Sequence, residues 1–359
     1  MLLLLGLTLG CTNTEPDDSA PDDTSESDAD TDTDTDTDTD ADTDSVCPEA
    51  KVTYTPENGG VQDLTDAFMT GQYVTLAQPG TVEVCPGTWF SRVLLRADIE
   101  VIGLGTTPEQ TVMSGGESGT IIDVSGPDVS VAVRNVTLDR GAGLDVDHNS
   151  GGGGVYCEQQ GVVEITDARF TNNFANDGSG LYARNCDITV RNTNFTDNLS
   201  EDDGGAFTLW ASTATLESVR MERNTSLDGG AMALFESTLS ASNLVVADNT
   251  ASNFGGGIWA NDATISLVDA EILRNTNDGS DYGGGLIIHG TASMQRVTFT
   301  DNTAPLGGGL FVYYGATVNG TDITFNGNAP EDVYVAGSST SHTVGDTVTF
   351  TCFDDACDL

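Results

Sequence analysis

Basic side chains are scarce: 12 lysines and arginines stand against 56 acids, and the formal charge is −44. A chain this acidic repels phosphate backbones and anionic headgroups, which excludes nucleic acid and a bare anionic membrane surface as partners. Histidine is rarer still. The three that occur, His148, His289 and His342, stand far apart with no nucleophile motif beside them, and no cysteine spacing matches a zinc site. Long apolar runs are missing too, so no stretch is suited to cross a bilayer as a helix.

The acids are unevenly spread. Residues 12–46 hold 15 of them, no base and almost no apolar side chain, ending in an Asp-Thr alternation. Such a segment cannot offset the entropy of ordering and reads as a self-repelling, extended tether. The other 41 acids face all 12 bases, which leaves about −29 on the remainder.

Before the tether lies a short apolar run, Leu2 to Leu9, followed by Gly10 and Cys11. It resembles a bacterial lipoprotein signal, which implies removal of residues 1–10 and a lipid on Cys11 as the membrane partner. The expected location is the bacterial outer membrane, lipid-anchored and exposed at the surface. Six cysteines remain: Cys47, Cys85, Cys157, Cys186, Cys352 and Cys357. An even number in an exported chain suggests disulfides. Cys47 with Cys85 would pin an N-terminal cap, Cys157 with Cys186 would link neighbouring coils, and Cys352 with Cys357 would staple a terminal loop; the spacing leaves the pairing open.

An internal period dominates the remaining sequence. An apolar residue followed three positions later by asparagine recurs at Phe170/Asn173, Phe195/Asn198, Met221/Asn224, Val246/Asn249, Ile272/Asn275, Phe299/Asn302 and Phe325/Asn328, with steps of 25 to 27 residues between asparagines. A glycine-rich step then leads to another apolar residue, as in Gly204-Gly205-Ala206-Phe207 and Gly229-Gly230-Ala231-Met232. Within each repeat the apolar positions alternate with period two and break once, as in Ile188/Val190 then Thr193/Phe195. That is strand, corner, strand. A third alternation follows the glycines, as in Met232/Leu234.

One such coil cannot bury its apolar side, so coils must stack. The predicted fold is all-β: a right-handed parallel β-helix, a three-sheet solenoid of about 26 residues per coil. Its asparagines are expected to form a ladder that satisfies turn groups from coil to coil. The expected layout is an N-terminal cap over 47–79 with a capping helix near 61–69, the β-helix over 80–333 and a C-terminal cap over 334–359.

The paired Gly-Gly-Ala-apolar and Phe-x-x-Asn motifs, best seen at 204–207 and 195–198, resemble the repeats of polymorphic outer-membrane proteins within the pectin-lyase-like superfamily. The resemblance covers roughly residues 136–328. It implies a surface-exposed β-helix with a role in adhesion, here without a C-terminal barrel.

Outward positions after the glycines are rich in rings: Tyr156, Tyr182, Trp210, Phe235, Trp259, Phe311 and Tyr313, with His289 among them. This strip is the candidate binding face for a glycan or a cell-surface protein. Acidic turns at Glu201-Asp202-Asp203, Asp145 with Asp147, and Asp278 with Asp281 offer the oxygen ligands calcium takes, but match no calcium-binding pattern and read as solvated corners; no cofactor is expected. Carboxylates are so abundant, and arginines so scattered, that neither marks a catalytic centre. The chain is therefore expected to be non-catalytic, with a carbohydrate-active β-helix enzyme and a purely structural surface protein as the alternatives.

Overall fold

The computed structural model describes Cys47, residues 51–143 and 151–337, and the backbone of His342–Val344. The expectations for Cys11, the acidic tether, Asp145 with Asp147, and Cys352 with Cys357 lie outside the described residues.

The described chain winds as a parallel solenoid of about nine turns. Its inward rows stack in register. Trp89, Met113, Leu138, Phe170 and Phe195 stand over one another, and Met221, Val246, Ile272 and Phe299 continue the row. All nine are buried. Rings meet within the row, Phe170 on Phe195 with centroids 4.4 Å apart. Burying a large apolar side chain stabilises by about 1.5–3 kcal/mol, and no single coil could do so without the coils on either side.

Corners are made by residues in the left-handed region. Between the first and second strands of a coil the corner residue is Asp167, Asn192, Ser218, Asn243, Asp269, Arg296 or Asp322, all with φ near 50°. Most are Asp or Asn, which tolerate that conformation. The two glycines of the later step serve different ends. The first, as at Gly229, has φ +64°. The second lies against the next coil: a Cβ on Gly230 would sit 2.1 Å from the Gly256 carbonyl oxygen.

The asparagines stand one above another. Asn198 donates from its Nδ2 to Asn224 Oδ1 at 2.9 Å and to the Phe170 carbonyl at 3.1 Å, and its backbone N–H donates to the same Asn224 oxygen at 3.1 Å. The same side-chain bond runs from Asn173 to Asn198 and from Asn224 to Asn249. Further up, Asn249 donates to Asn275 Oδ1 at 2.9 Å, Asn275 to Asn302 Oδ1 at 3.0 Å, and Asn302 to Asn328 Oδ1 at 2.9 Å. Asn275 also serves the Val246 carbonyl and Asn302 the Ile272 carbonyl, so both repeat the triple bonding of Asn198. All seven are buried, which makes the rungs part of the interior and not surface turn residues. At the lower end Gly141, which replaces an asparagine in the period, donates its N–H to Asn173 Oδ1. Besides the three sheets read from the sequence, six successive coils add a short strand just after the asparagine position, as at Leu199–Ser200 and Thr250–Phe254, and these pair in a six-stranded sheet of their own.

Disulfides join Cys47 to Cys85 and Cys157 to Cys186. The second is buried and occupies the foot of a polar corner, where Cys186 donates its N–H to Ser212 Oγ and Ser212 donates to Ser237 Oγ. At the N-terminal end Val52–Pro56 pairs antiparallel with Gly80–Val84. The capping helix is shorter than expected, Thr65–Thr70, because Gln62–Asp63 is taken up by pairing with Tyr54 and Thr53. Phe68 seals it against the core. At the other end Val333–Val335 and His342–Val344 still pair in parallel register with the coil below, past the expected boundary at 333.

Candidate functional site

The flank formed by the strands after the glycines carries the chemistry. Its first outward column runs Asp123, Tyr156, Tyr182, Thr208, Ala233, Trp259, Ile287, Phe311 and Tyr334 in register. Direction alone did not settle exposure. Tyr156, Tyr182, Phe235 and Phe311 are 4%, 9%, 5% and 2% exposed, so the expected open strip of eight narrows to Trp210, Trp259, His289 and Tyr313. Part of the cover is the next ring along the flank, Tyr156 on Tyr182 and Phe235 on Trp210, with centroids 5.4 and 4.1 Å apart. At Phe311 it is Tyr282, from the turn just before a glycine, at 4.6 Å, and Phe254 from the same turn position lies 5.5 Å from the partly open Trp259.

Ring stacking along the flank breaks at Trp259. Trp210 and Phe235 stack at 17°, whereas Phe235 meets Trp259 edge-on at 88°. Above that break a cleft of about 280 Å³ opens. Ile287 is its floor, while Phe254, Trp259, Tyr282 and Tyr313 are its apolar walls. Its polar end is the pair His289 and Asn261, with Nδ1 2.9 Å from Oδ1. The volume is near the lower limit of small-ligand sites, about 300 Å³.

Below the break the turn column changes character. The residue before each glycine step reads Asp177, Asp203, Asp228, then Phe254 and Tyr282. These turns are stacked by backbone bonds: Gly178 donates to the Asp203 carbonyl, Gly204 to Asp228, Gly229 to Phe254. Asp177, Asp202 and Asp203 bring one carboxylate oxygen each within 4.8 Å of the others. They form a group of three described side chains close enough to share a cation. Asp228 accepts from the Phe254 N–H at 2.9 Å, which makes the carboxyl column continuous with the cleft wall.

Burial raises the three carboxyls of the column, half-buried Asp177 and Asp203 and buried Asp228. Asp203 is pushed up to about 8 by desolvation and by the charges of Asp177, Asp202 and Asp228. Asp177 reaches about 6, burial outweighing the N–H it accepts from Asp203. Asp228 also reaches about 6, for the same first reason. Tyr182, beside Asp177, is pushed up to about 12, chiefly by desolvation. At neutral pH the column therefore holds one carboxyl that keeps its proton next to others that have lost theirs. Unlike neighbours of this kind are the arrangement by which acid and base roles are assigned.

Asp202 and Asp203 were among the acidic turns marked in the sequence; Asp177, Asp228, Phe254 and Tyr282 were not. The period would have found them, since each precedes a glycine step by one residue. Asp278 and Asp281, the other acidic turn, lie outside the three-carboxylate group.

A profile of the right-handed β-helix region matches residues 122–304, half of the chain. The chain belongs to the right-handed β-helix family. No curated protein matches the β-helix chain by sequence. Among solved structures it is similar to the periplasmic alginate epimerase AlgG, at 10% identity and a TM-score of 0.39 over 77% of this chain and 85% of that one. It is similar to the A-module of the mannuronan C-5 epimerase AlgE6 of Azotobacter vinelandii, at 13% identity and a TM-score of 0.33 over 75% and 90% of the two chains. A third is the catalytic domain of a GH87 α-1,3-glucanase, at 9% identity and a TM-score of 0.28 over 75% and 64%. The expectation of a non-catalytic chain is corrected by these matches, all of which are carbohydrate-acting enzymes by name. The likeness, at such identity, shows the fold alone, so what the flank does is argued from its own residues.

Proposed function

We propose that this β-helix is an exported, lipid-anchored, carbohydrate-active protein that binds a glycan along the aromatic flank and cleaves it at the carboxyl column. The observation that carries this reading is the continuity of the two features: carboxyls of unlike protonation run without interruption into a row of rings. Hydrolysis of a glycosidic bond needs one carboxyl that holds a proton and one that does not. Asp203 donates its proton to the leaving oxygen as the glycosidic carbon–oxygen bond breaks, while ionised Asp177 bonds to the anomeric carbon; water, giving up a proton to Asp203, then displaces Asp177 and restores both carboxyls. One oxygen of each lies within 4.8 Å of the other, short of the ~6.5–9.5 Å between the carboxyl groups by which inverting glycosidases leave room for a water. The rings supply the flat apolar surface against which a sugar unit is held.

Export and anchoring are supported by the run before Cys11, by the acidic tether and by two disulfides, which persist in oxidising compartments. The reading is tested by incubating the purified chain with neutral, acetylated, amino-bearing and uronate polysaccharides and measuring new reducing ends. Release from at least one class is expected; release from none contradicts it.

A further inference from the structure

The cleft between Trp259 and Tyr313 carries more information than its rings. Among the described residues, no lysine or arginine lines it. From Arg134 onward the arginines are already paired: each of the nine from Arg134 to Arg296 lies within 4.0 Å of a carboxylate. None of those carboxylates borders the cleft. Asp262 Oδ1 lies 3.4 Å from His289 Nδ1 and the Asp262 side chain is 64% exposed, at the polar end of the cleft. Asp281 is close enough to act on Asp228. The remainder of the chain beyond the tether carries about −29.

Two forces then point the same way. Aromatic walls attract a cation through the negative faces of their rings, and the carboxylates without an arginine add a field of the same sign. A polyanion entering here meets the Asp262 carboxylate at the polar end and the negative charge of the chain as a whole. Hydroxyls are also provided for: with Nδ1 engaged by Asn261, the second nitrogen of His289 remains for a ligand.

We propose that the cleft holds an ammonium-bearing sugar, so that the glycan acted on is a cationic amino-sugar polymer. This rests on the carbohydrate reading above and narrows its substrate class. A neutral sugar would gain the stacking and lose the charge term. A uronate would lose both the charge term and the approach.

The test is calorimetric titration of the full chain at pH 5.5 with four probes of equal length: a glucosamine oligomer, its N-acetylated form, a uronate oligomer and oligolysine. The glucosamine oligomer is expected to bind at least tenfold more tightly than the acetylated one at low salt, with that margin shrinking severalfold at ~0.5 M salt. Trp259→Ala, checked for an unchanged circular-dichroism spectrum, should weaken it at least tenfold. Asp262→Asn, at an exposed position that does not threaten the fold, should weaken it severalfold and leave the acetylated oligomer unaffected. Oligolysine binding as tightly as the amino sugar would reduce the effect to bulk charge and overturn the proposal, as would equal affinity for the acetylated or uronate oligomer. Equal binding of the neutral form would leave the broader glycan reading standing. Binding of none of the sugars would overturn both.

Discussion

Asp203 sits one coil above Asp177 and donates its backbone N–H to that residue's Oδ1 at 3.4 Å, so the two carboxyls are held side by side by the winding of the chain. Neither is near the other in sequence, and both are half withdrawn from water. Burial raises both; the charge of Asp177 adds to the hold of Asp203 on its proton, because ionising both places like charges together in a partly desolvated site, while the rise at Asp177 is supplemented by Asp202 and opposed by the Asp203 N–H.

Stability should therefore fall as pH rises. The folded carboxyls of Asp177, Asp203 and Asp228 titrate near 6, 8 and 6, above their value in the unfolded chain. Protons are retained by the fold after the unfolded chain has released its own, so their stabilisation is complete below about pH 4 and is lost through pH 8. Asp248 and Asp269, lowered by their arginine partners, act in the opposite sense and only below the usual carboxylate range. Melting temperatures between pH 5 and 8.5 check this. Asp203→Asn should flatten the upper part of the decline; parallel curves for variant and parent would count against it.

The asparagine ladder makes a second prediction. Asn224 Oδ1 accepts both the backbone N–H and the Nδ2 of Asn198, and its own Nδ2 serves the Phe195 carbonyl and Asn249. Asn224→Ala leaves buried donors and an acceptor without partners, at about 1–3 kcal/mol each before relaxation. Urea denaturation should show a loss of ~2–4 kcal/mol, against under ~0.5 kcal/mol for Thr213→Ala on the exposed side of a strand. Asn275 and Asn302 sit in the same bonds, so their alanine variants should lose as much.

Glycine at 230 answers to space, not to backbone angle. A Cβ there would lie 2.1 Å from the Gly256 carbonyl oxygen and 2.8 Å from atoms of Thr250. Gly230→Ala must push two coils apart and should abolish cooperative unfolding or lower the melting temperature by more than ~10 °C. Gly315→Ala, with nothing within 4 Å, should show only the smaller cost of a left-handed alanine, ~1 kcal/mol.

For the anchor, Cys11→Ala should move the protein from the membrane fraction to the soluble fraction and abolish labelling by a radioactive fatty acid. Membrane retention by the variant would contradict lipid attachment at this residue.

The solenoid was legible because its determinants are local and repeated. Phe195, Met221, Val246 and Ile272 obey one spacing rule, and the asparagine three residues on fixes the register of each coil against the next. The exposure of the rings was not legible. Alternation tells that Tyr156 and Phe311 point away from the core, yet not that a neighbouring ring or turn covers them, and Phe254 and Tyr282 enter from positions the strand rule does not reach. The carboxyl column was half legible. Asp203 stood out within an acidic turn, whereas Asp177 and Asp228 are single acids among many, made distinctive only by landing beside it. Their raised affinity for protons depends on burial, which a count of acids does not contain.

The pH dependence of glycosidic-bond cleavage tests the account most directly. With Asp177 ionising near 6 and Asp203 near 8, the parent should show a bell-shaped rate profile with its plateau between those values, as a property of the coupled pair. Asp203→Asn should lower the rate about 10²–10⁴-fold and remove the alkaline limb. A variant that cleaved within a few-fold of the parent, with the same profile, would contradict the assignment.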